Sequence, residues 1–384
     1  MPTFHLKPHS RLAPDAWDSL LISLLRGLAA LQVAAAHLRA ETFPGLRGLE
    51  QPPLAYLGLA FVTGFAHQAV VLFFLISGWL VGGSLLDKRA TPLAMRLYAI
   101  DRVSRLWTVL LPTLVLMLVL AIATDVVDPR TIDTSPANDY SVLSFVGNLC
   151  GLQTIAVPNF GGNYALWSLA NESWYYLLFP LLLLATGAGE RARRLPAIVA
   201  LLAAAVALPT MLALYFGLWL MGAACSRVRI DAGPLWRALW FALFAGVSVY
   251  YRLRGSNDDI VPASVLQDLV YSSVFLVFMA SMQLPVRAHG DLLRRGANFL
   301  AQFSFTLYVL HVPLIHVLRH IGVRALGKNG LSPLVPLDYL VYAGMLLFIL
   351  ASCYLSFRLF EAHTPVVRRV LKDLLVPAAV RRPA

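Results

Sequence analysis

Apolar residues in this chain do not mark one face of a helix at a time. They fill whole runs of about 20 residues, the length that crosses a bilayer core. Ten such runs, bounded by charge or by Pro and Gly, lie near 20–38, 67–86, 104–124, 166–187, 195–211, 212–226, 234–251, 265–284, 299–319 and 338–360. A further apolar run at 54–66 is too short and Gly-rich to span, and reads as interfacial or re-entrant. The pattern predicts an all-α fold: a polytopic membrane helix bundle of about ten transmembrane helices. Residues 19–365 form the membrane domain, between an N-terminal tail at 1–18 and a basic C-terminal tail at 366–384. Ala34, Ala35 and Ala36 resemble a signal-peptidase site, but the first run follows a long polar tail and has Arg26 within it, so it reads as a retained helix.

Composition agrees. Of 384 residues, 59% are hydrophobic and 13% charged, against about 25% charged in a soluble domain. That excludes a cytosolic enzyme, a secreted disulfide scaffold and a disordered chain. The net charge of +11 does not point to nucleic acid, because the basic residues lie between apolar runs and form no continuous stripe. With the N-terminus inside, 22 of the 31 Lys and Arg fall on inner segments, 8 on outer segments, and Arg26 within a span. The positive-inside rule therefore places both termini in the cytoplasm, as expected for an integral inner-membrane protein. Cys150, Cys225 and Cys353 stand far apart, with no His or Cys at metal spacing, so no disulfide framework and no metal site is expected.

A few polar residues lie where hydrocarbon disfavours them. Arg26 sits in the first run, where a charge costs about 2.5–3.5 kcal/mol even on a lenient scale. His37 follows eleven residues later, close to three helical turns, so the two share a face about 16 Å apart. A snorkelling Arg with an interfacial His explains them equally simply. Glu172 lies about 9 Å into the fourth run, in the half of the bilayer expected to hold His37. It reads either as that imidazole's partner or as a carboxylate satisfied at an aromatic belt. Ser304, Tyr308 and His311 stand at i, i+4 and i+7 and form one polar stripe, which in membranes often serves only to join helices. Arg102 and Arg105 share a face where the third run begins, a pair suited to a phosphate or to anionic lipid headgroups.

In order, these pieces resemble the acyltransferase family 3, membrane enzymes that move acyl groups, usually acetyl, onto glycans and related acceptors. Arg26 and His37 match its Arg-x10-His motif. Phe73-Phe74-Leu75-Ile76-Ser77-Gly78-Trp79 resembles its Phe-Phe-x-x-Ser-Gly-aromatic signature. Arg102 and Arg105 match its Arg-x-x-Arg pair, and Trp167-Ser168-Leu169 with Glu172 its Trp-Ser-Leu-x-x-Glu motif. Ser304 to His311 is similar to its Ser-Tyr-x-x-Tyr-x-x-His segment, and Phe360-Glu361 to its Phe-x-Glu ending. Val71, Asp101, Thr108 and Ser173 depart from residues common at those places.

The resemblance implies acyl-CoA, acetyl-CoA or another, as co-substrate and a saccharide or lipid-linked glycan hydroxyl as acceptor, with membrane lipids around the chain. It implies His37 as the base, Glu172 holding its tautomer, and Arg26 stabilising charge on the donor. Arg102 and Arg105, with Arg26, would meet the donor; Ser77, Trp167, Ser304 and Tyr308 would line the acceptor site, with His311 as reserve base. Direct transfer and an acylated His37 both fit. A competing class is a transporter or acyl-donor conduit built on the same intramembrane Arg, His and Glu.

Overall fold

The computed structural model describes residues 1–12, 16–91, 93–187, 191–255, 261–284 and 291–377. Arg287, Arg381 and Arg382, counted above among the inner basic residues, lie outside them.

Strand β1 (Thr3–Leu6) precedes α1 (Trp17–Thr42), α2 (Leu54–Val62), α3 (Ala66–Ser77), α4 (Gly83–Lys88), α5 (Ala94–Ala123), α6 (Val142–Leu149), α7 (Leu166–Thr186), α8 (Arg191–Ala207) and α9 (Thr210–Cys225). Strand β2 (Val228–Asp231) then leads to α10 (Pro234–Arg254), α11 (Val265–Ser281), α12 (Asp291–Gln302), α13 (Ser304–Leu326), α14 (Pro336–Leu359) and α15 (Thr364–Leu375). The fold is an α-helical membrane bundle. Each of the ten apolar runs lies largely within helix, and six helical segments among the described residues are long and apolar enough to cross a membrane. The run at 54–66 holds α2, whose nine residues rise about 13 Å and cannot span alone. The run expected at 299–319 is divided: α12 ends at Gln302 and a new helix begins at Ser304.

Small residues govern the closest helix contacts, as they must where lipid removes the hydrophobic drive between helices. On α1, Ala29, Ala30, Val33 and Ala34 are buried, and a Cβ at Gly27 would approach Leu300 Cβ to 2.5 Å. A Cβ at Gly78 would overlap the Trp219 carbonyl, and one at Gly222 the Leu75 carbonyl, so α9 meets the α3 helix through reciprocal glycines. Between α3 and α4 the helix widens into one π-helical stretch, Gly78–Gly82, a local form that recurs at functional sites.

The described terminal segments are tied to the bundle. β1 pairs antiparallel with β2, Thr3 opposite Asp231 and Leu6 opposite Val228. Ser10 donates to Asp87, and Arg227 pairs with the same carboxylate at 2.7 Å. The segment from 364 onward continues as α15, packed on α5, with Arg368 and Lys372 at 3.2 and 3.3 Å from Asp101. The long loop after α5 is held by its own polar residues. Asn148 donates to Pro158 O at 2.8 Å and accepts from Phe160 N at 3.1 Å, while Asn163 donates to Val309 O of α13 at 2.9 Å.

Candidate active site

Among the described residues, three polar clusters lie inside the bundle: one joins His67 Nε2 to Asp268 Oδ1 at 2.7 Å, with Tyr215 donating to the same carboxylate, and α13 passes through the other two. The first of those two is a histidine pair. His37 Nδ1 of α1 lies 2.9 Å from His311 Nε2 of α13, with the rings stacked at 5.1 Å. His311 is fully buried, and its Nδ1 is 3.1 Å from Leu307 O. A carbonyl oxygen can only accept, so His311 carries its proton on Nδ1 and presents the Nε2 lone pair. His37 must then donate from Nδ1, which leaves the His37 Nε2 lone pair free. The pair fixes His37 in the tautomer a general base requires. Tyr164 packs edge-on to the His37 ring at 5.0 Å.

The second cluster surrounds Glu172 on α7. Ser77 Oγ donates to Glu172 Oε1 at 2.6 Å, and Tyr176 OH donates to the same oxygen. Trp219 Nε1 in turn donates to Ser77 Oγ at 3.1 Å. A cavity of about 70 Å³ opens beside these groups, lined by Arg26, Ser77, Arg105, Ser168, Glu172, Tyr176, Ser304 and Tyr308. Arg26 Nη2 donates to Ser304 Oγ at 3.3 Å, and Tyr308 OH and Ser168 Oγ are 2.6 Å apart. The Tyr308 ring lies 6.0 Å from that of His311, so one side chain links the cavity wall to the histidine pair.

The structure thus brings together Arg26, Ser77, Arg105, Glu172, Ser304 and Tyr308 around one space, with His37 and His311 adjacent. Three residues have neighbours other than the expected ones. Glu172 is not the partner that orients His37: among the described residues the two share no hydrogen bond. Glu172 Oε1 is taken by hydroxyls from α3 and its own helix, and His311 does the orienting instead. Arg102 and Arg105 have different neighbours. Arg102 lies over the rings of Tyr98 and Tyr176, 5.8 and 5.6 Å from their centroids, and only Arg105 lines the cavity. Trp167 packs edge-on at 6.1 Å to Phe74, which lines the cavity, and its neighbour Ser168 lines the cavity as well.

Sequence reasoning missed Tyr164, Tyr176 and Trp219, aromatic residues among many in apolar runs. Glu361 has a local role too, accepting from Thr306 N and Oγ1 at 3.2 and 2.6 Å and so capping the start of α13.

The family model for an acyltransferase domain matches residues 20–362, nearly the whole chain. The protein belongs to the acyltransferase family 3 and is a membrane acyltransferase. No curated protein and no solved structure matches the chain.

Proposed function

We propose that this protein is an O-acyltransferase that carries an acetyl group from cytoplasmic acetyl-CoA to a hydroxyl of a saccharide or glycolipid. The observation that carries the reading is the hydrogen bond from His37 to His311, which leaves one imidazole nitrogen free for a proton. Membership of the family supports acyl transfer, and the basic count of the sequence supports a donor entering from the cytoplasm of the inner membrane.

His37 Nε2 takes the proton of the acceptor hydroxyl as its oxygen attacks the thioester carbonyl. The C–S bond breaks, and the imidazolium returns the proton to the departing CoA sulfur, so an ester and a free thiol are the products. Arg26, on the cavity wall beside Ser304, is placed to meet negative charge on the donor. Arg105 lines the same cavity and serves the anionic donor. Arg102 supports the site from outside by stacking on Tyr176, which holds Glu172.

The test is acyl transfer by the purified protein from radiolabelled acetyl-CoA to a lipid-linked glycan extract. Label appearing in an alkali-labile ester fraction supports the proposal. Labelled acetyl-CoA left intact, with label moving across sealed vesicles, assigns the chain to the conduit class instead.

A further inference from the structure

His311 restrains the His37 ring through the bond to Nδ1 and the stacked faces. A second restraint comes from Tyr164, whose ring meets that of His37 edge-on, with centroids 5.0 Å apart and planes at 65°. Such T-shaped contacts are attractive, and a ring held there opposes turning of the imidazole.

Tyr164 stands in the loop just before α7. Its N–H donates to Gly162 O at 2.8 Å, and its carbonyl accepts from Trp167 N at 3.3 Å, so the backbone is fixed. The phenol is fixed separately, because its hydroxyl hydrogen-bonds to Glu41. Glu41 follows His37 on α1 by four residues, about 6 Å along the helix. The helix that carries the imidazole thus also carries the carboxylate that sets the ring packed against it. Arg319 of α13 in turn donates to Glu41 Oε2. It follows His311 by eight residues, about 12 Å. Helices α1 and α13 are therefore joined twice, at His37 with His311 and at Glu41 with Arg319, and Tyr164 touches both joints.

Stability does not account for the second joint. The Arg319 and Glu41 side chains are 44% and 26% exposed, and exposed ion pairs contribute only about 0–1 kcal/mol. What the pair does is hold the Glu41 carboxylate in one place under the phenol.

We propose that Glu41, held by Arg319, is a positioning residue for the reaction: through the Tyr164 hydroxyl it sets the ring that keeps His37 aimed at the acceptor. The inference rests on the acyl-transfer reading above. Glu41 touches no substrate in this role, and it passes on orientation alone. Loss of the tether should slow the chemical step and leave donor binding as it was.

The experiment follows label from acetyl-CoA into a lipid-linked glycan extract, using purified full-length wild type, Glu41→Ala, Glu41→Gln, Tyr164→Phe and the Glu41→Ala/Tyr164→Phe double variant, with Tm for each. Glu41→Ala and Tyr164→Phe should each lower kcat about tenfold or more while the acetyl-CoA KM stays within about twofold, the pattern of a catalytic group that is intact but misaimed. Glu41→Gln keeps an oxygen that accepts from phenol and guanidinium alike, and should recover most of the rate. The double variant should lose no more than the worse single one, because both changes remove the same bond. Tyr164→Phe is the cleaner variant, since it deletes one oxygen and leaves both the ring and the ion pair. An unchanged kcat in Glu41→Ala and Tyr164→Phe overturns the assignment and leaves His37 standing as the base. Equal losses in Glu41→Ala and Glu41→Gln, or losses that multiply in the double variant, overturn it too. No transfer by the wild type removes the acyl-transfer reading and the positioning role with it.

Discussion

The Nδ1 of His37 and the Nε2 of His311 lie 2.9 Å apart, although 274 residues separate them in the chain. Because His311 also donates to Leu307 O, the bond has a direction, and the role of each ring follows from it. His311 acts through His37 and is a positioning residue. His311→Ala should lower kcat about a hundredfold with little change in either KM, the scale of losing correct base orientation. His311→Gln, whose side-chain oxygen can accept from His37, should recover most of that loss. Steady-state kinetics on the three proteins check this, and equal losses in Ala and Gln would contradict it.

The two arginines of the third apolar run should separate in their effects. Arg105→Ala removes a cation from the cavity wall and should raise the acetyl-CoA KM about tenfold or more, since hydrogen bonds to charged groups contribute about 1.5–3 kcal/mol. Arg102→Ala loses its two ring contacts and should lower Tm by about 1–3 °C with a smaller change in that KM. Donor titrations and thermal unfolding in detergent distinguish the two.

Ser77 is a junction, accepting from Trp219 Nε1 and donating to Glu172. Ser77→Ala leaves an indole N–H without its partner and takes one donor from a carboxylate. The expected destabilisation is about 1–3 kcal/mol, the range for groups left unsatisfied away from water. Ser77→Thr keeps the hydroxyl and should lose less, as measured by thermal unfolding.

Packing of α3 on α9 depends on backbone contact. Gly78→Ala or Gly222→Ala places a methyl group on a carbonyl of the facing helix and should destabilise by about 1–3 kcal/mol or more. Gly217→Ala, where a Cβ meets nothing within 4 Å, should be neutral or stabilising, because Ala is the better helix former. Expression level and Tm of the three variants give the comparison.

Much of this was legible in the sequence, for reasons that also mark the limits. Runs of about 20 apolar residues locate helices because the bilayer permits little else. Such runs do not show where a helix restarts, and the break at Phe303 between α12 and α13 carries no Pro or Gly. Arg26, Glu172 and His311 were conspicuous as polar residues in hydrocarbon. Which of them touch was not legible, since pairing depends on helix rotation and neighbours. Equal depth allowed a His37–Glu172 pair or a carboxylate satisfied by aromatic neighbours, and only the family resemblance chose the pair. The structure satisfies Glu172 with Ser77 and Tyr176 and gives His37 a second imidazole. Three-residue spacing placed Arg102 and Arg105 on one face, but Tyr98, one turn earlier on α5, and Tyr176 of α7 draw Arg102 aside.

In the proposed reaction a free nitrogen on His37 accepts the acceptor's proton. The most direct measurement is transfer of labelled acetyl from acetyl-CoA to acceptor by the purified protein, comparing wild type with His37→Ala at matched folding and donor affinity. A fall in kcat of about 10² to 10⁴, with the donor still bound, is the predicted result. Transfer at the wild-type rate without that imidazole would contradict the account.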